Sequence, residues 1–271
     1  MQHAQKSLID IAWVLFSAGL VFLMQAGFLC LESGLTRSKN SIHVALKNIT
    51  DFCICAILFW LFAFGLMFGG GGSFFAGGNY FLLSNLTEHP WQATFFIFQM
   101  MFCATAVTII SGAIAERVRF SGYIYIVVLI TTIVYPIFGH WAWGNIADPN
   151  GYAWLANMHF RDFAGSSVVH SLGGWAALAV LLIIGPRTGR FPKGQKPNKI
   201  LGSNLPLSML GVIFLWFGWI GFNGGSALAL NNNVPTIILN TVLSGASGLV
   251  AVLLFFLTQR KQPDCISLAN G

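Results

Sequence analysis

Residues 11–31 read IAWVLFSAGLVFLMQAGFLCL, 21 positions without a charged side chain. A helix needs about 20 such residues to cross roughly 30 Å of hydrocarbon, so this run predicts a membrane span. Lys6 is the only Lys or Arg before it, and no polar, small-residue cleavage region closes it. The expectation is a retained first span rather than a removable signal peptide.

Six more runs of the same kind follow. With the first, the predicted spans are roughly 10–33, 47–69, 92–115, 122–143, 164–185, 205–229 and 235–258. Backbone groups in lipid must be bonded internally, which makes each run a helix and disfavours a barrel. The fold class expected is therefore all-α: one polytopic transmembrane bundle over residues 1–271, with no soluble core. Composition agrees. Only 8% of residues are charged, against about 25% in soluble domains, so there is too little polar surface to cover a soluble fold.

The net charge of +6 raises the question of nucleic acid, but the basic residues fall in short clusters between apolar runs rather than along one face. Membrane topology accounts for them. Arg37, Lys39 and Lys47 border the first turnaround, Arg117 and Arg119 follow the third span, Arg187 to Lys199 the fifth, and Arg260 and Lys261 the seventh. All of the 14 basic residues except Lys6 and Arg161 then lie on one side. Basic loops mark the cytoplasm, so the expectation is an N-terminus outside, with the segments Gly69–Gly78 and Trp141–Trp154 as outer loops. The residues from Ser267 to Gly271 begin another small-residue helix, and the expectation is an incomplete module facing the cytoplasm there.

Cys30, Cys53, Cys55, Cys103 and Cys265 show no repeated metal-ligand spacing and read as packed thiols. No P-loop, zinc cluster or secure nucleophilic triad occurs, so the chain reads as neither an enzyme nor a cofactor binder. A retinal Schiff base is disfavoured because Lys261 follows the seventh span instead of lying within it.

Ionisable residues at membrane depth are costly and direct the functional search. His170, about two turns into the fifth span, reads either as a pore imidazole that exchanges hydrogen bonds with a small polar permeant or as a link between helices. Asp162 opens the same span, where helix amides favour a carboxylate, and reads first as a cap. Glu32 and Glu116, at two cytoplasmic ends, read as carboxylates satisfied by basic groups or turn amides. Glycines recur in spans five to seven and predict close helix approach.

Four separated motifs in order carry a resemblance across essentially the whole chain: Leu31-Glu-Ser-Gly-Leu35, Gly112-Ala-Ile-Ala-Glu-Arg117, Asp162-Phe-Ala-Gly-Ser-Ser-Val-Val-His170 and Trp219-Ile-Gly-Phe-Asn-Gly-Gly-Ser226. The sequence resembles the ammonium transporter and Rh protein family, in its microbial ammonium-transporter branch. The resemblance implies the first five-helix repeat and two helices of an inverted second repeat, in a homotrimer with a path through each protomer. It implies that Phe102 and Phe222 form a paired aromatic gate, that Trp143, Ser226 and Phe102 recruit ammonium outside the gate, that His170 lines the pore, and that Asp162 supports the outer site. The family's second pore histidine belongs to a later helix, so residues 1–271 alone are expected not to conduct. Ser166-Ser167 and Gly173-Gly174-Trp175 depart from the transporter pattern and keep open an ammonium sensor feeding a cytoplasmic signalling domain beyond Gly271; a structural membrane subunit is a third reading. The location implied is a bacterial inner membrane, with lipid as the remaining partner.

Overall fold

The computed structural model describes residues 6–72, 76–77, 80–83, 89–146 and 151–271. Parts of both predicted outer loops, residues 73–75, 78–79 and 147–150, lie outside the described residues. Among those described, seven helices are long and apolar enough to cross a membrane.

The first is α1 (Leu8–Leu35). The second, Ser38–Phe68, combines α2 (Ser38–Leu58), a π-helical turn (Phe59–Ala63) and α3 (Phe64–Phe68). Next come α4 (Pro90–Ile114), and then α5 (Phe120–Leu129), a π-turn (Ile130–Val134) and α6 (Tyr135–Trp143) as one span. A short α7 (Trp154–Asn157) precedes the fifth span, built from a π-turn (Ser166–Ser171) and α8 (Leu172–Ile184). The last two spans are α9 (Leu205–Gly225) and α10 (Val234–Thr258), followed by a short α11 (Cys265–Ala269).

Ends are set by local chemistry. Ser7 caps α1 by accepting from the Asp10 amide at 3.1 Å, and the Asp10 carboxylate accepts in return from the Ser7 amide. Proline stands in the first turn of α4, α9 and α10, where its missing N–H costs nothing.

The most extensive helix pair is α1 against α9, and glycine makes it so. A Cβ at Gly211 would stand 2.5 Å from the Leu31 amide, and one at Gly221 would stand 2.6 Å from the Ser17 carbonyl. Gly218 sits against Met24, and Gly225 against Ser17. Rising numbers on α1 meet falling numbers on α9, so the two run antiparallel. Dispersion across such close backbones supplies the association that the hydrophobic effect cannot supply in lipid.

Three expectations need correction. The second helix begins at Ser38 rather than near 47, and Lys47 is a buried residue within it, 1% exposed, not a loop cation. Its ammonium donates to the Val118 carbonyl at 2.9 Å and lies 5.2 Å from the centre of the Tyr123 ring. The run of neighbouring polar residues masked this helix start: Arg37 to Asn40 reads as a turn until the helix is seen to absorb it. Likewise Trp141 and Trp143 end the fourth helix and do not belong to a loop. Among the described residues the cysteines are free, and Cys53 is exposed on its helix rather than packed.

Glu116 fastens the basic end. It holds a positive φ of 64° between α4 and α5, and its inaccessible carboxylate accepts from Arg37 Nε at 2.8 Å, Asn40 Nδ2 at 2.7 Å and Arg187 Nη1 at 3.1 Å. Burial pushes this carboxyl up, but hydrogen bonds from Arg37 and Asn40 and the Arg37 charge outweigh that effect and hold it below the usual glutamate range. Such a group contributes stability above the unfolded carboxylate pKa and loses it as pH falls through the lower folded value. Glu116→Gln should therefore cost about 2 kcal/mol at pH 7. Thermal unfolding in detergent should show the gap between wild type and variant closing below about pH 4.

Candidate functional site

Four elements meet at the end of the bundle opposite the Glu116 cluster: the fourth span ends at Trp143, the fifth begins at the Asp162 loop, and α9 brings Phe222 against Phe102 of α4 and ends at Ser226.

Asp162 organises the start of the fifth span. One carboxylate oxygen accepts from the Gly165 and Ser166 amides at 2.7 and 2.9 Å, and the other accepts from Ser167 and Val168 at 2.8 and 2.7 Å. The four N–H groups that a helix leaves without partners at its start are all taken by one side chain. The turn it caps is π-helical and begins at Gly165, whose φ of 92° suits glycine alone. A Cβ there would also stand 2.6 Å from Val169 Cγ2 and 3.4 Å from the Trp143 ring. The cap expected from the sequence is present, and it does more than end a helix: the Asp162 carbonyl accepts the Trp143 indole N–H at 2.7 Å. One residue thus fixes both the π-turn and the indole.

From Trp143 the aromatic rings form a line. Trp143, 3% exposed, meets Phe102 edge-on at 6.1 Å between ring centres. Phe102 stacks on Phe222 at 4.1 Å with planes 11° apart, and Phe222 meets the His170 ring edge-on at 5.3 Å. The stack is nearly inaccessible and is braced by Phe98, 4.6 Å from Phe102. Ser226 caps α9, and its hydroxyl donates to the Phe222 carbonyl at 2.7 Å. That leaves the oxygen lone pairs free to accept.

His170 lies in the π-turn of the fifth span and is exposed together with Ser171, Gly174 and Trp175, so the described residues do not enclose it. Its Nδ1 lies 3.3 Å from the Gly165 carbonyl. In the tautomer with hydrogen on Nδ1 this is a donated bond, and Nε2 remains an acceptor on the open side.

The sequence reading missed a second polar group, buried between α1, α2, α4 and α5. Glu32 accepts from Asn48 Nδ2 at 2.8 Å and Ser111 Oγ at 2.9 Å, a side-chain amide and a hydroxyl where the sequence predicts basic groups or turn amides. Asp51, fully buried, accepts from the Tyr123 hydroxyl, and Thr108 lies 3.0 Å from Gln25 Oε1. A signal was available: Lys47, Asn48 and Asp51 share one helical face by their spacing. These carboxylates tie four helices together away from the aromatic line.

Antiparallel spanning helices, a π-turn held by a carboxylate and a stacked aromatic pair next to a histidine define a polytopic helical membrane protein with an aromatic line shared by its third to sixth spans. The sequence profile of the Ammonium Transporter Family matches residues 12–271, and the chain belongs to that family. It is 53% identical over 268 residues to a Synechocystis sp. protein named as a candidate ammonium transporter, covering 97% of this chain and 49% of that one. It is 38% identical over 274 residues to ammonium transporter Amt2 of Archaeoglobus fulgidus, covering 97% and 57%. A solved "Sensor Amt Protein" superposes with a TM-score of 0.92 at 44% identity, covering 96% of this chain and 65% of that structure. Candida albicans Mep2 superposes at 0.86 with 29% identity, covering 98% and 58%. The chain spans about half to two-thirds of the length of these relatives.

Proposed function

We propose that this chain carries the recruitment site and gate of an ammonium/ammonia transport protein. The observation that supports this most directly is the unbroken line Trp143, Phe102, Phe222, His170, with successive ring centres 6.1, 4.1 and 5.3 Å apart.

Ammonium is a small cation with four donors. An indole face attracts it through the ring quadrupole, and a hydroxyl oxygen accepts one of its hydrogens. Trp143 supplies the first and Ser226 the second. The Phe102–Phe222 stack closes the way beyond them, so passage requires ring rotation and shedding of hydration. Carrying a full charge through that apolar constriction is costly, whereas ammonia crosses cheaply. Deprotonation before the gate, with the proton passing to water on the outer side, followed by movement of ammonia is the route this chemistry favours. Beyond the gate, His170 offers Nε2 to an ammonia hydrogen while its Nδ1 side is held at Gly165.

The same reading includes a homotrimer in a bacterial inner membrane, with the N-terminus outside, supported by the family resemblance and the distribution of basic residues. Ammonium sensing is the second reading, favoured by the similarity to the sensor structure. It would use the same recruitment residues but couple occupancy to an output domain. Ammonium-dependent flux in liposomes holding the full-length protein, later helices included, decides for transport; saturable binding without flux from that same protein decides for sensing.

Trp143→Leu tests the recruitment step under either reading. Leucine keeps apolar bulk but removes the aromatic face, worth about 1–2 kcal/mol to a desolvated cation, so half-saturation by ammonium should rise about tenfold. Unchanged concentration dependence, in binding and in uptake, would remove Trp143 from the site.

A further inference from the structure

A cavity of about 550 Å³ opens at the basic end of the bundle, between the start of α5, the loop joining α8 to α9, and α11. Arg117, Arg187, Arg190 and Lys199 line it against a single carboxylate, Asp264. That carboxylate is already engaged: it caps α11, accepting from the Ser267 amide at 3.0 Å and the Ser267 hydroxyl at 2.6 Å. Arg187 is paired with Glu116.

The other three cations have no ion pair among the described residues. Arg190 donates to the Asn198 carbonyl and Arg117 to the Gly185 carbonyl at 3.3 Å, and both bonds hold the loop in shape around the cavity. Arg117 Nε is buried without a hydrogen-bond partner. Burial, and after it the Arg187 charge, push Arg117 down from the usual arginine range. Basic residues in a loop of this kind are ordinarily solvated topology markers. Here they converge on a concave space, four cations against the one carboxylate of Asp264, and one of them has a buried donor unused.

We propose that this cavity binds a phosphate-bearing anion, held by Arg117, Arg190 and Lys199. Guanidinium forks match the paired oxygens of a phosphate, and a lysine adds a point charge. The volume exceeds that of one phosphate and falls in the range of small-molecule sites, roughly 300–1,000 Å³. The rest of the wall is apolar, with Phe191 and Leu201 largely exposed beside it, which suits a phosphate ester carrying an organic group. That group comes either from a soluble ester or from a lipid of the adjoining leaflet. The site lies apart from the aromatic line and stands or falls independently of ammonium transport.

The test uses the whole chain in phosphatidylcholine nanodiscs, probed with pyrophosphate by titration calorimetry, and in nanodiscs doped with phosphatidic acid, probed by lipid retention in native mass spectrometry. Lys199→Gln removes a charge with no structural hydrogen bond to lose, and Arg190→Lys keeps a donor for the Asn198 carbonyl. Saturable pyrophosphate binding, weakened about tenfold by Lys199→Gln and several-fold by Arg190→Lys, supports the site with a soluble source. Retention of phosphatidic acid alone, reduced by the same variants, supports it with a lipid source. Binding of neither probe, or binding of either that both variants leave unchanged, overturns it.

Discussion

Replacing Asp162 with Ala in the full-length protein is expected to abolish ammonium-dependent uptake and to lower stability by about 3–5 kcal/mol. Four backbone amides donate to this carboxylate at 2.7–2.9 Å. Hydrogen bonds to a charged acceptor are worth about 1.5–3 kcal/mol each, though not additively, and donors left unpaired add their desolvation cost. Among the described residues no other side chain accepts from these four amides. The π-turn would lose its anchor, and with it the carbonyl that holds the Trp143 indole. Asp162→Asn separates the parts of the argument. Its single carbonyl oxygen serves one pair of amides while its NH2 faces the other pair, so about half the stability should return with little uptake. Asp162→Glu keeps the charge but displaces it by a methylene and should fold better than it transports. Thermal unfolding measured beside uptake in liposomes checks all three. Full uptake by correctly inserted Asp162→Ala would show that the carboxylate is not needed to shape the outer site.

The large features of this fold are legible because lipid imposes a simple rule: a run such as 11–31 can only be a spanning helix. The second span shows where the rule weakens. Its first turns carry Lys39, Lys47 and Asn48, and hydropathy places the boundary after them, while the structure buries Lys47 against Val118 and Tyr123. Tertiary partners, not composition, make that charge tolerable. The π-turns are a second gap. Nothing in Phe59–Ala63 or Ile130–Val134 distinguishes them from regular helix, since an extra residue per turn depends on what packs outside. At the site, chemistry alone marked His170 and Asp162 because ionisable groups in apolar runs stand out. Trp143, Phe102, Phe222 and Ser226 carry no such mark and became visible only through the order of the motifs. Phe98 was legible in neither way. It braces the stack because Gly225 leaves room for its ring, with a Cβ there standing 2.8 Å from Phe98 Cε2.

His170 should yield the other large effect, and the two informative substitutions should diverge. The ring lies against Phe222 on one edge and beside the Gly165 carbonyl on another, with its remaining face open. In the proposed route it must be neutral when ammonia passes, because a fixed imidazolium would repel the incoming cation and lack hydration against an apolar wall. His170→Ala removes the acceptor and leaves a gap next to the gate, where water or nothing replaces the imidazole. Uptake should fall by at least tenfold, the loss of about 1.4 kcal/mol or more from the barrier region. His170→Glu keeps a polar group of similar reach but adds a negative charge. A carboxylate just beyond the Phe102–Phe222 stack stabilises ammonium itself, so the permeant there no longer has to be neutral. Uptake should persist and an electrical current carried by the cation should grow. Uptake of labelled methylammonium and current across the same proteoliposomes of the full-length protein, with insertion and assembly measured for each variant, separates the two outcomes. A purely structural histidine would make both variants fail together through misassembly. Wild-type uptake and current from both, correctly assembled, would remove His170 from the path altogether.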